Sequence, residues 1–330
     1  MPTFAPAHAQ NGYTNASDSA GPAKLYGALL DEQMRYSAEQ DKLTKRRRRV
    51  NCVPVLLALL VPWGFFVLVF GIVAFYCHYA APLMTTLFAL GALFASAWAA
   101  RSAISVAPED KFFRTYLGAG LFVGAAAGWV AGDLTFWELM QPAYHAEHLA
   151  TYMNVNPSSE TLWSGESVPT RGLRYQDAGK VYFGHDVILD VSRARSFKLG
   201  DLYCVAPIVD PKCKKNCGLD FWAVGMNCCS EDAADFRCGE FNNTHAKSGL
   251  RMLVENRRPL YRMAVLQAEA SHDVFSPHPI FFYFLQDPVA EVRSWKRDGY
   301  SRFILAMIAS FFVNAAMLVP AMKRARLMHF

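Results

Sequence analysis

Residues 220–232 read DFWAVGMNCCSED, and the adjacent thiols Cys228 and Cys229 are the residues best placed to do chemistry. Four more cysteines flank them closely: Cys204, Cys213, Cys217 and Cys238. An even set packed this tightly reads as a disulfide framework if the segment is translocated into an oxidising compartment. A bond between neighbouring residues is strained, so Cys228 and Cys229 are expected to take different partners. At the end of a strand, successive side chains point to opposite faces, and one bridge would then leave each face. Cys213 and Cys217, in DPKCKKNC, either pair with each other or supply those partners. The competing arrangement is a zinc site of Cys213, Cys217, Cys228 and Cys229. Its spacings are irregular and contain no CxxC pair, so neither metal nor cofactor is expected.

Other reactive residues carry weaker signals. Cys52 follows a basic run and is a candidate for S-palmitoylation, with an unmodified thiol the equal alternative. Cys77 stands alone between two apolar runs, either shielded by the membrane or open to an intermolecular bridge. Asn242-Asn243-Thr244 is a glycosylation sequon; Asn15-Ala16-Ser17 is a second, expected to lie on the wrong side to be used. Tyr26–Leu29, YGAL, has the form of a sorting signal. His145 and His148 with Glu147 between them have metal-ligand types, but HxxH is also an ordinary loop pattern. Asp133 and Glu138 end an apolar run, where an acid inside a membrane would carry an ion or proton. There is no P-loop, GxSxG, HExxH or post-strand GxGxxG, which lowers the expectation of an enzyme.

The elements that position these residues are dominated by membrane segments. The chain has 330 residues, 53% hydrophobic and only 18% charged, where about 25% charged is usual. The apolar residues collect in four runs, at 53–75, 83–100, 115 to about 132–137, and 303–322. Each can cross the roughly 30 Å hydrocarbon layer as a helix. The net charge of +5 comes mainly from clusters beside those runs, so no nucleic-acid partner is expected. In the third run Gly120, Gly124, Gly128 and Gly132 recur every fourth residue, which places them on one helical face as a packing seam, within the chain or between subunits.

Basic residues orient the runs. Lys45–Arg49 precede the first, Arg101, Lys111 and Arg114 lie between the second and third, and Lys323, Arg324 and Arg326 follow the fourth. With four crossings all three clusters share one side, so both termini are expected in the cytosol. Arg293, Lys296, Arg297 and Arg302 fall on the other side, at the end of a long loop of the kind that translocates regardless of charge. The domain plan is then a cytosolic polar tail at 1–50, spans one to three at 51–137, a lumenal or extracellular cysteine-rich domain at 138–301, span four at 302–322 and a basic cytosolic tail at 323–330. Within the outer domain, 141–179 reads as an extended stalk with little structure. Strands are expected at 180–183, 187–191, 201–209, 220–227, 251–255 and 279–285, and a helix at 260–271. A further helix from Pro288 runs toward the membrane, with a possible interruption at Asp298-Gly299. The fold class is a four-span helical bundle carrying an α+β disulfide-stapled domain.

DLYCVAPIV, LDFWAVGMNCC, FRCGEF and YRMAVLQAEA ahead of HPIFFYF together resemble a group of uncharacterised multi-pass membrane proteins of dinoflagellates and related protists. That resemblance covers about residues 203–284 and implies no activity. The layout is more loosely similar to tetraspanins, which share four spans, a large last loop and a Cys-Cys pair. The chain departs from them with Ser230 after the pair, a very short first loop, and Cys238 far from span four. The reading that follows is a non-enzymatic scaffold or recognition protein whose partners are the bilayer, copies of itself or other membrane proteins. The alternative is a transporter or channel subunit assembled through the glycine seam, which polar residues at the bundle centre, around Asp133 or Asn314, would favour.

Overall fold

The computed structural model describes residues 30–40, 52–104, 111–158, 160–161, 167–168, 172–212, 219–231 and 234–324. Pro54–Val319 form one unit, and Met1–Val53 with Pro320–Phe330 a second. In the second unit α1 (30–40) is an exposed helix with an i,i+4 ion pair, Arg35 to Asp31 at 3.2 Å. The remaining helices are α2 (Cys52–Ala74), α3 (Tyr76–Ala80), α4 (Pro82–Ile104), α5 (Lys111–Thr135), α6 (Gln141–His148), α7 (Arg258–His272) and α8 (Pro288–Arg324).

Four helices are long and apolar enough to cross a membrane: Val53–Ala74, Pro82–Ile104, Phe112–His148 and Pro288–Lys323. They are not the buried helices of a water-soluble core, because Leu57, Phe94, Trp98 and Phe312 stand more than half exposed. Such side chains are unremarkable in lipid and costly in water. Inside the bundle, Val69 and Val73 of α2 meet Ala89 and Ala92 of α4, and Phe70 meets Phe303 of α8 edge-on at 5.2 Å. Pro62 interrupts α2. It has no N–H to give the carbonyl four residues earlier, that of Ala58. Asn314 of α8 fills the vacancy: its amide donates to Leu59 O at 2.7 Å and lies 3.4 Å from Ala58 O. Tyr116 of α5 in turn donates to Asn314 Oδ1 at 2.8 Å. A proline in a membrane helix is tolerated where neighbouring helices repair the backbone in this way.

The helix that carries the third apolar run does not end at 132–137. It passes through one wider π turn, Phe136–Met140, directly into α6. The expected stalk at 141–179 is therefore corrected. Pro142 follows directly after the π turn, and Ala143 and Ala146 bury against Leu250 and Val292. The helix α8 is likewise unbroken at Asp298-Gly299. Gly299 is a point of close approach: a Cβ there would come within 2.6 Å of Met140 Sδ.

The domain is an eight-stranded mixed sheet, in the order β1-β4-β9-β10-β8-β7-β5, with β6 also paired to β7. Its strands are β1 (Ala150–Val155), β4 (Ala178–Phe183), β5 (Ile188–Leu189), β6 (Arg195–Leu199), β7 (Asp201–Val209), β8 (Phe221–Met226), β9 (Ser248–Arg251) and β10 (Ile280–Leu285); β2 (Glu160–Thr161) and β3 (Ser167–Val168) form a separate pair. β1 and β4 are parallel, as are β8 and β10. Alternation along the central strands divides two cores. Tyr203, Val205, Trp222, Val224 and Phe281 face α7, which buries Tyr261, Ala264, Val265 and Ala268 at helical spacing. Cys204, Ala206, Ile208, Phe221, Ala223, Ile280 and Phe282 face the other way. No helix covers that second core among the described residues. Irregular chain covers it through Tyr175, Val187, Ala194, Phe236, Cys238 and Ala246.

Candidate functional site

The cysteine cluster lies on this irregularly covered face. Cys204 is bonded to Cys229, and Cys228 to Cys238. The expectation of one bridge on each face is corrected: both pack against the same core. The strand ends at Met226, and Asn227 then takes a left-handed conformation with φ of 55°. Its side chain accepts the Leu202 N–H at 2.9 Å and donates to Asp201 Oδ1 at 3.0 Å. Strand alternation therefore stops before the cysteines, and the turn swings both beneath the sheet. Gly225 lies under the second bridge, where a Cβ would sit 2.4 Å from Cys238 Sγ. The Sγ atoms of Cys204, Cys228 and Cys238 lie within 4.8 Å of one another because the bridges are adjacent, and both are closed. Cys213 and Cys217 lie outside the described residues, as do Asn15 and Tyr26–Leu29, and nothing is described of the Cys52 side chain. Cys77 is unpaired and exposed.

A second feature was not read from the sequence. Asp220, 1% exposed, sits at the start of β8. Its Oδ2 accepts the Gly172 N–H at 2.7 Å, and its Oδ1 accepts the His278 N–H at 3.1 Å and the Ser276 hydroxyl at 3.2 Å. Trp222 Nε1 donates to the same hydroxyl at 3.0 Å. One carboxylate thereby ties the turn at 172–175 to the loop before β10. The fit leaves no room for a side chain at Gly172, whose Cβ would meet His278 O at 2.2 Å. Between these walls and the first turn of α7 opens a cleft of about 620 Å³, with Leu173, Pro277 and Phe281 as apolar lining and Glu255, Arg258, Arg262 and His278 as polar lining. That volume lies within the usual range for small-ligand sites, about 300–1,000 Å³. Arg262 is held by Ser276 O at 2.8 Å and stands 3.7 Å from Glu269. Arg258 stands 3.7 Å from Glu255. The cleft presents two arginines, each beside a glutamate, over an apolar floor. Ser276 is fully buried and committed to Asp220.

The other candidate residues are engaged structurally. Gly120, Gly124, Gly128 and Gly132 all face α2 of the same chain, where Cβ atoms would fall 2.9 Å from Pro62, Pro62 O, Phe66 O and Val73. The seam is thus filled within the chain. Asp133 accepts from Trp137 Nε1 at 3.1 Å. Glu138 pairs with Arg302, and Glu147 with Lys296 at 2.6 Å. His148 Nδ1 lies 2.8 Å from Tyr144 O in its own helix. Asn242 and Thr244 are exposed on a turn that begins with left-handed Gly239.

No family model, curated protein or solved structure matches the chain.

Proposed function

We propose that the chain is a multi-pass membrane recognition protein without enzymatic activity, with both termini in the cytosol and the sheet domain displayed outside or in a lumen. The cleft held by Asp220 is its recognition surface, and it favours a ligand that joins an anionic group to an apolar one. The observation that carries this reading is the pairing of Arg258 and His278 with an apolar floor in a cleft whose walls are fixed by a buried carboxylate. The orientation is supported by the charges that first opposed it. Lys296 and Arg302 are paired with Glu147 and Glu138, so they weigh less as free cations against the basic clusters that the sequence sets before the first run, between the second and third, and after the fourth.

Two measurements test the proposal. Protease added to sealed, right-side-out vesicles should spare tags at both termini and cut within 138–301. A glycan on Asn242, lost in Asn242→Gln, should accompany that topology; loss of either tag would overturn it. For recognition, the wild type and Arg258→Glu should be compared by affinity capture in mild detergent. A partner retained equally by the two excludes the cleft.

A further inference from the structure

A second cavity lies among the spans, bounded by α2, α5 and α8, with a volume of about 300 Å³. Pro62 and Phe66 form its back, Gly120 and Gly124 its floor, and Val123 and Val313 its lips. It arises because α5 and α8 do not pack along their length. They meet at Tyr116 and Asn314, and further along Ala131 of α5 and Phe303 and Ala306 of α8 pack against the same α2 residues, Phe66, Phe70 and Ala74, with the slot between. Gly120 and Gly124 contribute no side chain to the slot, and Pro62 and Phe66 of α2 close its inner side. Val123, Val313 and Met317 are each more than half exposed, so the slot opens sideways.

We infer that this slot is a binding site for one acyl chain of a bilayer phospholipid. The inference rests on the membrane placement of the four spans. The first argument is polarity. Every polar side chain in the slot is already engaged: Tyr116 with Asn314, Asn314 with Leu59 O, Trp63 with Met307 O at 2.9 Å, and Ser310 with the same carbonyl at 2.9 Å. Every donor among them is committed, so none remains to hold an anion, and a slot with so few polar atoms is a poor site for water. The second argument is length. From Tyr116 to Ala127 a helix rises roughly 17 Å, about half of the roughly 30 Å hydrocarbon layer. The slot therefore matches one leaflet, the depth that a single acyl chain occupies. The third is the setting, since a cleft opening sideways between spans faces lipid tails, and an empty one would forfeit dispersion contacts along its lining.

The test uses the full chain reconstituted in phosphatidylcholine vesicles that contain a phosphatidylcholine with a photoreactive group on its tail. After illumination, adducts are mapped by peptide mass spectrometry. Adducts on 116–127 and 310–317 should exceed those on the exposed face of α4 around Leu90 and Phe94 at least fivefold. Ala127→Phe should fill the slot and remove that excess while leaving α4 labelling unchanged. Ala119→Leu serves the same purpose if the phenylalanine prevents folding. Added phosphatidylcholine should also raise the melting temperature of the detergent-solubilised wild type more than that of the filled variant. Slot labelling no higher than on α4, or insensitive to both fillings, would overturn the site. Preferential labelling by a sterol probe alone would overturn the acyl-chain assignment. No labelling on α4 or the slot would overturn the membrane placement itself.

Discussion

The two bridges differ in the length of chain they close, which makes their contributions separable. Cys204–Cys229 spans 25 residues and Cys228–Cys238 spans 10. In the chain-entropy account a bridge removes about 2.1 + 1.5R ln n cal/mol/K from the unfolded ensemble, which gives about 3.5 kcal/mol for the longer loop and about 2.7 kcal/mol for the shorter. Either is a large share of the roughly 5–15 kcal/mol by which a domain is usually stable. The perturbation is paired replacement, Cys204→Ser with Cys229→Ser, or Cys228→Ser with Cys238→Ser, so that no lone thiol remains to reshuffle. Strand β8 is fully buried around Trp222, and hydrogen–deuterium exchange of the peptides covering β7 and β8 can follow denaturant unfolding of the domain in the full chain. The first pair should lose more stability than the second, by roughly 0.8 kcal/mol on the same account. Losses below about 1 kcal/mol for both pairs would show that the irregular cover holds without its staples. A reversed order would show that local fit, and not loop closure, governs their contribution.

The remaining predictions follow from close contacts and buried polar atoms. Gly225→Ala places a methyl against Cys238 and Cys228 sulfurs, and should either cost about 1–3 kcal/mol by overpacking or lower the yield of the second bridge in non-reducing peptide maps. Asn314→Leu removes the hydrogen bonds that replace the missing Pro62 N–H and should cost about 1–2 kcal/mol in detergent unfolding, since interhelical hydrogen bonds in membranes contribute roughly 0.6–1.7 kcal/mol each. In a Pro62→Ala background, which restores the N–H, the cost should shrink; equal costs in both backgrounds would refute the repair. Lys180 is 8% exposed and donates to Ala146 O at 2.6 Å, so Lys180→Met should cost about 1–3 kcal/mol at neutral pH by orphaning that carbonyl. Burial lowers the Lys180 pKa below its ordinary 10.5. The unfolded state therefore holds the proton more tightly, and stability should rise with pH between the folded-state pKa and 10.5. In the methionine variant this rise should disappear from a series of unfolding curves across that range.

Much of the architecture could be read where pattern and burial coincide. The run at 201–209 is β7 to the residue, because both faces of that central strand are buried and its sequence is continuously apolar. The helix read at 260–271 is α7, given by its apolar spacing. Strands β1 and β6 were missed because each pairs on one side only, with β4 and β7. ATYMNV and RSFKL accordingly carry mixed side chains with little pattern. β9 was placed at 251–255 but spans Ser248–Arg251. SGLR has poor strand propensity, yet Gly249 is needed beside β10, where a Cβ would fall 2.8 Å from Phe282 Cβ. Tertiary fit overrides propensity there. The cleft was invisible for another reason: its walls come from three segments far apart in sequence, tied together by the Asp220 carboxylate and by Arg262 and Glu269 of α7.

The junction between domain and spans shows which forces set the display. A domain attached by linkers would reorient freely by default. Here two continuous helices enter it, α5 through the π turn into α6, and α8. Ion pairs are the visible ties, but Lys296–Glu147 and Arg302–Glu138 are substantially exposed, and such pairs contribute about 0–1 kcal/mol each. Burial contributes more. Ala143, Ala146, Leu250 and Val292 are at most 4% exposed at the same junction, and full burial of a valine or leucine is favourable by about 1.5–3 kcal/mol. Lys180 adds a bond to one of the last carbonyls of α6, which the helix itself leaves without a partner. The packed apolar seam, more than the charges around it, holds the sheet and its cleft at a fixed attitude to the spans. That is the arrangement a recognition surface needs if its ligand must be met at a set distance from the membrane.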